Sequence, residues 1–309
     1  MMTMSGITWV LEDDEKKRAL LAQRMEVEHL PSMMPCLRAD IVAKKGWNAG
    51  IFDRVVEVLK RGYVTEGEDG TLSWTGPRSS MLTLHGLEMQ RRWMQIGETL
   101  KTGKPAGPLD PEFLAILTGT MRDSARNLAP YVTQYTLDHL PEGATRGLDV
   151  GGSHGLFSEA LLQRREDLSM TVVDVPAVIA QVTSDSSRLK LVGGSMLDGA
   201  LLAKEEAFDF ACMIRFVHMH SLEEVRTMLT LLRPRMKAGG LLFVVDTMRG
   251  LSQNADIFSI NMAVNTASGD TYSLADMEAA WMDELALVDV EAWPHDDRLG
   301  YVATTWRFV

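Results

Sequence analysis

Residues Asp149 to Gly155 read DVGGSHG, and the reading of this stretch decides the fold. A short apolar run leads into the acid and an amphipathic stretch follows, so the motif joins a strand to a helix. Two chemistries share this spelling. As G-x-S-x-G, on Gly151, Ser153 and Gly155, it matches the nucleophile elbow of a serine hydrolase. As an acid followed by paired glycines, it matches a turn whose backbone closes on a bound cofactor.

The surrounding chain separates these readings. From residue 146 onward, apolar runs end in an acid or a glycine: GLD (147–149), MTVVD (170–174), LKLVG (189–193), FDFACMI (208–214) and GLLFVVD (240–246). Amphipathic stretches such as SLEEVRTMLTLLRPRM (221–236) fill the gaps. Short apolar strands alternating with helices predict a parallel, doubly wound sheet. LVDVEA (287–292) and YVATTWRF (301–308) are joined by a short loop and predict an antiparallel terminal hairpin. Upstream, residues 12–62 read mostly as helix, with Ile51, Val55, Val56 and Leu59 at helical spacing. GYVTEGEDGTLSWT (62–75) then predicts a two-stranded wing turning at Glu68-Asp69-Gly70. The expected architecture is α/β: a mostly helical winged-helix domain over 1–105, then a Rossmann-like domain over 106–309.

In such a sheet, ligands bind at the carboxyl ends of the strands. Asp174 ends the strand after the glycine loop, where a carboxylate accepts hydrogen bonds from both hydroxyls of a ribose. A dinucleotide loop needs G-x-G-x-x-G; Ser153 stands at its third position and Leu156 at its sixth. The hydrolase reading has a triad in the correct chain order, Ser153, Asp246 and His295. That elbow follows several strands, however, and residues 76–145 read as helical. A structural turn with no ligand is disfavoured by the placement of Asp174.

Composition narrows the partners. The formal charge is −11 over 309 residues, and the basic clusters (Lys16 to Arg18, Lys44-Lys45, Arg91-Arg92) are short. An acidic surface disfavours nucleic acid. Two cysteines, Cys36 and Cys212, supply neither a metal spacing nor a disulfide framework, which fits the cytoplasm. The N-terminus does not read as a signal peptide, and no apolar run is long enough to span a bilayer.

Several segments together resemble small-molecule O-methyltransferases with an N-terminal winged-helix dimerisation domain, the group of caffeate-type and antibiotic-tailoring enzymes. RRWMQIGETLKTGKP (91–105) is similar to their W-x-x-L-x-x-x-x-x-T-G-K-P stretch. LDVGGSHG resembles LDVGGGTG, VVDVPAVI (172–179) resembles F-D-L-P-x-V, and LVGGSML (191–197) stands where V-x-G-D-M-F is common. RFVHMHSLEE (215–224) is similar to the catalytic L-H-D-W-S-D-E segment, and KAGGLLFVVD (237–246) to the P-G-G strand.

The resemblance implies a homodimer that transfers a methyl group from S-adenosylmethionine (SAM) to a hydroxyl of a small aromatic or polyketide-like acceptor. It implies no metal, nucleic acid or membrane. Asp149, Gly151, Gly152, Ser153, Asp174, Val175, Ser195, Met196 and Arg215 would hold the cofactor, with Met196 against the adenine. His218 would be the general base, with His220 as rival. Trp93, Met121, Met219, Met262 and Asn265 would form the acceptor wall.

The chain also departs from the pattern. Ser195 replaces the acid of G-D-M-F, while Met219 and His220 replace the aspartate and tryptophan of H-D-W. SGDTYS (268–273) replaces G-x-E-R-T, whose glutamate can orient the histidine, and Asp270 is expected to assume that duty. These changes leave open C- or N-methylation, chemistry in which SAM is only an aid, and a SAM-binding regulator.

Overall fold

The computed structural model describes residues 14–28, 30–79, 81–107, 111–199, 201–202, 207–293 and 300–309. The chain divides into two compact units, Met1–Arg91 and Arg92–Val309.

In the first unit, α1 (Asp14–Val27) precedes α2 (Arg38–Lys45) and α3 (Ala49–Leu59). Asn48 starts α3 by accepting the Ile51 N–H. Three short strands pair antiparallel in the order β1-β3-β2: β1 (Cys36–Leu37), β2 (Val64–Glu66) and β3 (Thr71–Trp74). The 3.6-residue period brings Phe52, Val56 and Leu59 into one core with Ile41, Val64 and Leu72. α4 (Met81–Trp93) ends across the division.

The division precedes the expected boundary at residue 105, because residues 92–107 are tied into the second unit. α5 (Ile96–Thr102) packs on α10 (Ala255–Asn265). The Trp93 indole donates to Asn261 at 2.8 Å, and the Ala106 N–H donates to the Val264 carbonyl.

The second unit is built on a seven-stranded sheet in the order β6-β5-β4-β7-β8-β10-β9. β4 (Arg146–Val150), β5 (Ser169–Asp174), β6 (Leu189–Gly193), β7 (Phe208–Ile214) and β8 (Met236–Asp246) run parallel. β9 (Leu285–Trp293) and β10 (Tyr301–Phe308) close the sheet as the expected antiparallel hairpin. The helices are α6 (Pro111–His139), α7 (Leu156–Arg164), α8 (Pro176–Ile179), α9 (Leu222–Leu232), α10 and α11 (Leu274–Trp281).

Alternation along each strand feeds two apolar clusters. Leu148, Ala211, Val244 and Trp306 join one, with Trp281 of α11; Phe210, Cys212 and Phe243 join the other, with Val132 and Tyr135 of α6. From β4 the chain winds out to β6, then returns to β4's other side with β7. The carboxyl ends of β4 and β7 therefore flank the topological switch point, where the crevice of such a sheet opens. Among the described residues, no helix is long and apolar enough to cross a membrane.

Candidate active site

The glycine loop crosses the end of β4 as a tight turn. The Gly151 and Gly152 N–H groups both donate to the Val173 carbonyl, and Gly155 donates back to Gly152. Gly151 has φ +68°, and a Cβ there would collide with the Phe216 ring. A Cβ on Gly152 would meet Asp149 and Val172 at 2.7 to 2.8 Å. Both positions therefore demand glycine on packing grounds. Ser153 also has positive φ, +46°, a conformation that costs an L-residue roughly 1–2 kcal/mol.

Two acids hold this turn. Asp174 accepts the Ser153 N–H at 2.9 Å on one oxygen and the Val175 N–H at 2.7 Å on the other. Asp149 is 1% exposed and accepts the Ser158 hydroxyl at 2.7 Å; its other oxygen is buried without a protein partner. Burial pushes Asp149 up to about 6, opposed by the Ser158 bond and assisted by the Asp174 charge. Burial also raises Asp174, against its two backbone bonds. His154 has the opposite shift: burial, then the charges of Arg215 and Arg122, lower it to about 4. Its Nδ1 accepts the Leu156 N–H at 3.1 Å, so the neutral ring carries its proton on Nε2.

Across the switch point, β7 runs into Arg215, Phe216 and a three-residue turn, Val217–Met219. Arg215 has φ +56°. Its guanidinium reaches Ser124 at 2.8 Å and the Met121 sulfur at 2.6 Å, and lies over the Tyr301 ring. Phe216 fills the space beside Gly151 and lies 4.6 Å from the His220 ring. One phenyl ring thus separates the two loops.

His218 is 8% exposed. Its Nδ1 lies 2.6 Å from Asp246 Oδ1, and its backbone N–H donates to Asp246 Oδ2 at 3.2 Å. Asp246 Oδ1 also accepts the Thr247 N–H at 2.8 Å. The Phe258 ring of α10 stands edge-on to the imidazole at 5.0 Å. Asp246 engages Nδ1, so Nε2 is the ring nitrogen left to exchange a proton. Burial lowers the neighbouring His220.

The orienting carboxylate is therefore Asp246, correcting the expectation for Asp270. Asp270 accepts from Arg249 at 3.0 Å, from the Ser259 hydroxyl and from the Thr271 N–H. The reason lies in strand register. Ile214 pairs with Val245, so the residue after Val245 stands beside the turn that follows β7. Asp246 carries the same signal that marked Asp149 and Asp174, an acid closing an apolar strand. Asp246 has His218 as its partner, and among the described residues no strand precedes β4 in the large sheet, unlike a serine-hydrolase elbow. His295 lies outside the described residues.

The other expected residues fall into separate groups. Val175 is 45% exposed, and the Ser195 hydroxyl accepts the Leu197 N–H in a turn. Met196 is buried within a sheet cluster, and Met262 is buried on α10. Asn265 donates to the Asn261 carbonyl and side chain, while its own Oδ1 is buried without a protein partner. Trp93 meets the same Asn261. Phe258, Asn261, Met262 and Asn265 share one face of α10, and Phe258 aims that face at His218. Met219 lies in the His218 turn and Met121 beside Arg215. Phe216 and Phe258 were not legible as site residues, since an aromatic following a strand or within a helix reads equally as core.

The acids suit a nucleoside bearing an amino-acid tail. Each Asp174 oxygen retains a lone pair for a ribose hydroxyl, and the unpartnered Asp149 oxygen can take a donor. Chavicol O-methyltransferase of Ocimum basilicum is 25% identical over 130 residues, which is 42% of this chain and 35% of that protein. The chain thus matches about a third of that relative's length. An O-methyltransferase family protein from Burkholderia thailandensis superposes with TM-score 0.62 at 18% identity, covering 98% of both chains. The O-methyltransferase NcsB1 from neocarzinostatin biosynthesis, solved with SAM and 2-hydroxy-5-methyl naphthoic acid, superposes with TM-score 0.58 at 18% identity, covering 97% of this chain and 98% of its own. The model of the O-methyltransferase domain matches residues 109–279, more than half of the sequence, and the chain belongs to that family.

Proposed function

We propose that this protein is a SAM-dependent methyltransferase acting on a hydroxyl of a small, aromatic or polyketide-like acceptor, with His218 as general base. The observation carrying the reading is the buried His218–Asp246 pair, set across the switch point from the glycine loop.

SAM would supply an electrophilic methyl group on a sulfonium. Asp174 would hold the ribose hydroxyls, and Asp149 a donor of the amino-acid end. Arg215 is committed to Ser124, Met121 and Tyr301, and would shape the same wall. His218 Nε2 would take the acceptor's hydroxyl proton as the oxygen attacks. Asp246 would fix the tautomer that leaves Nε2 basic and would stabilise the imidazolium once formed. Phe216, Phe258 and Met262 would exclude water, and positioning supplies much of the rate in such a displacement. Met121, Met219, Trp93 and Asn265 complete the proposed acceptor wall.

The proposal extends to a homodimer formed through the N-terminal unit, which exposes Leu37 and Ile51, and to residence in the cytoplasm, where the free thiols of Cys36 and Cys212 would persist. Light scattering would read the dimer.

Native mass spectrometry of the purified protein tests the central reading, followed by incubation with SAM and a panel of phenols including chavicol and 1,4-dihydroxy-2-naphthoic acid. Bound SAM or its demethylated product, and a 14-dalton gain on a phenol, are expected. Absence of cofactor binding at millimolar SAM would overturn the reading.

A further inference from the structure

His218 is held from two sides, and only one of them is Asp246. The histidine lies on a three-residue turn closed by two backbone bonds, the Met219 N–H to the Phe216 carbonyl at 3.0 Å and the His220 N–H to the Val217 carbonyl at 3.1 Å. So short a turn does not fix its own outgoing carbonyls.

The segment 268–273 approaches those carbonyls. The Tyr272 hydroxyl donates to the His220 carbonyl at 2.6 Å. Gly269 packs so closely on the His218 carbonyl that a Cβ would overlap it, and would also approach the Met219 carbonyl carbon at 3.1 Å. The Ser268 hydroxyl donates at 2.5 Å to Glu224, the acid that caps α9 by accepting the Ser221 N–H at 2.8 Å. The segment thus touches the chain at residues 218, 220 and 224 in succession.

The segment is itself anchored. The Arg249 N–H donates to the Tyr272 carbonyl at 3.0 Å, and the Thr271 hydroxyl donates to the Ala255 carbonyl at 3.1 Å. Gly269 donates to the Thr266 hydroxyl, and Asp270 binds Arg249 and Ser259. Its fixed points lie on α10 and on the chain leaving β8, the strand that ends in Asp246.

We propose that residues 268–273 form a clamp on the His218 turn, with Tyr272 as a positioning residue acting through the His220 carbonyl. The clamp holds the backbone while Asp246 holds the ring. It accounts for the difference from the glutamate pattern: this segment steadies the histidine through main-chain contacts, and its acid, Asp270, anchors the segment. Burial, then the charges of Asp270 and Glu224, push Tyr272 up to about 12, so its hydroxyl stays a donor throughout the neutral range.

The consequence for rate rests on His218 being the base; the mechanical claim does not. Tyr272→Phe removes the hydroxyl and keeps the ring. In protein labelled with 15N-histidine and free of ligand, NMR reads the His218 ring nitrogens and the Nδ1 proton shared with Asp246. The expected result is a shifted or exchange-broadened Nδ1 proton and displaced His218 ring-nitrogen signals, with the melting temperature nearly unchanged. Gly269→Ala, which must displace the His218 carbonyl, should shift the same signals further. Ring signals that superimpose on wild type in both variants would overturn the clamp.

Single-turnover transfer from SAM to 1,4-dihydroxy-2-naphthoic acid provides the second readout. Tyr272→Phe should lower the rate about tenfold, the worth of one positioning hydrogen bond, with KM for SAM unchanged. An unchanged rate in a wild-type-active assay, with the NMR signals shifted, would leave the clamp standing and remove His218 as the base; an unchanged rate with unshifted signals would overturn the clamp. If wild type transfers no methyl group while the NMR shifts occur, the clamp stands and the proposed activity falls.

Discussion

Asp246 binds His218 twice, through the ring at 2.6 Å and through the backbone N–H at 3.2 Å. The first contact selects a tautomer and the second fixes the turn. Asp246→Asn separates these duties. An amide can still pair with Nδ1, but its NH2 can stabilise the tautomer that carries the proton on Nε2. General-base catalysis is worth roughly 10²- to 10⁴-fold. Single-turnover methyl transfer by Asp246→Asn should fall by about 10²-fold or more, with SAM affinity little changed. A near-normal rate at neutral pH would remove the pair from the chemistry.

Asp174 offers a test of cofactor recognition. Its two oxygens pin Ser153 and Val175 while facing the proposed ribose. Losing a charge-assisted pair of hydrogen bonds costs about 2–3 kcal/mol, or roughly 30- to 150-fold in affinity. Calorimetric titration with SAM should show that loss for Asp174→Ala. Asp174→Asn keeps acceptor capacity and should lose less. Affinity retained in the alanine variant would refute the ribose assignment.

Asp149, Asp174 and Asp246 stand at or next to the carboxyl ends of β4, β5 and β8. That placement is legible in sequence because a buried apolar run gives way to an acid at each strand end. Asp270 follows no such period. It lies in irregular chain after α10, where a shift of one residue redirects the side chain, so sequence alone does not decide its partner; in the structure it binds Arg249 and Ser259. The domain division shows a similar limit. Gly103 and Pro105 punctuate the chain locally, but the bonds Trp93–Asn261 and Ala106–Val264 span over 150 residues and decide where residues 92–107 belong. Nothing in the sequence announces the positive φ of Ser153 or Arg215, since neither is glycine.

Gly151→Ala should damage the site through packing. The new methyl group adopts a left-handed backbone at about 1–2 kcal/mol and meets the Phe216 ring, adding about 1–3 kcal/mol of overpacking. Relief requires Phe216 to move, and Phe216 also packs against His220. A melting temperature several degrees lower is expected, together with weaker SAM binding. A Phe216→Ala partner substitution should recover part of the affinity lost by Gly151→Ala. Purely additive effects would show that the ring does not couple the two loops.

Asp149 and His154, in one loop, should oppose each other as pH changes. Asp149 has a folded-state pKa of about 6, above its ordinary value, so the folded protein binds the extra proton between about pH 4 and 6. Its contribution to stability is greatest below pH 4 and is lost as pH rises through 6. His154 is lowered from 6.5 to about 4, so the unfolded chain binds the extra proton in nearly the same window. Its contribution is intact above about pH 6.5 and is lost as pH falls through 4. Each displacement corresponds to on the order of 3 kcal/mol. The wild-type stability curve should therefore be nearly flat with respect to these two groups across pH 4–6. Asp149→Asn should lose stability as pH falls through that window relative to wild type, and His154→Gln should gain it. Thermal unfolding of the three proteins at pH 4.5, 5.5 and 7 measures both slopes. Parallel slopes in all three would show that neither group is held away from its ordinary pKa.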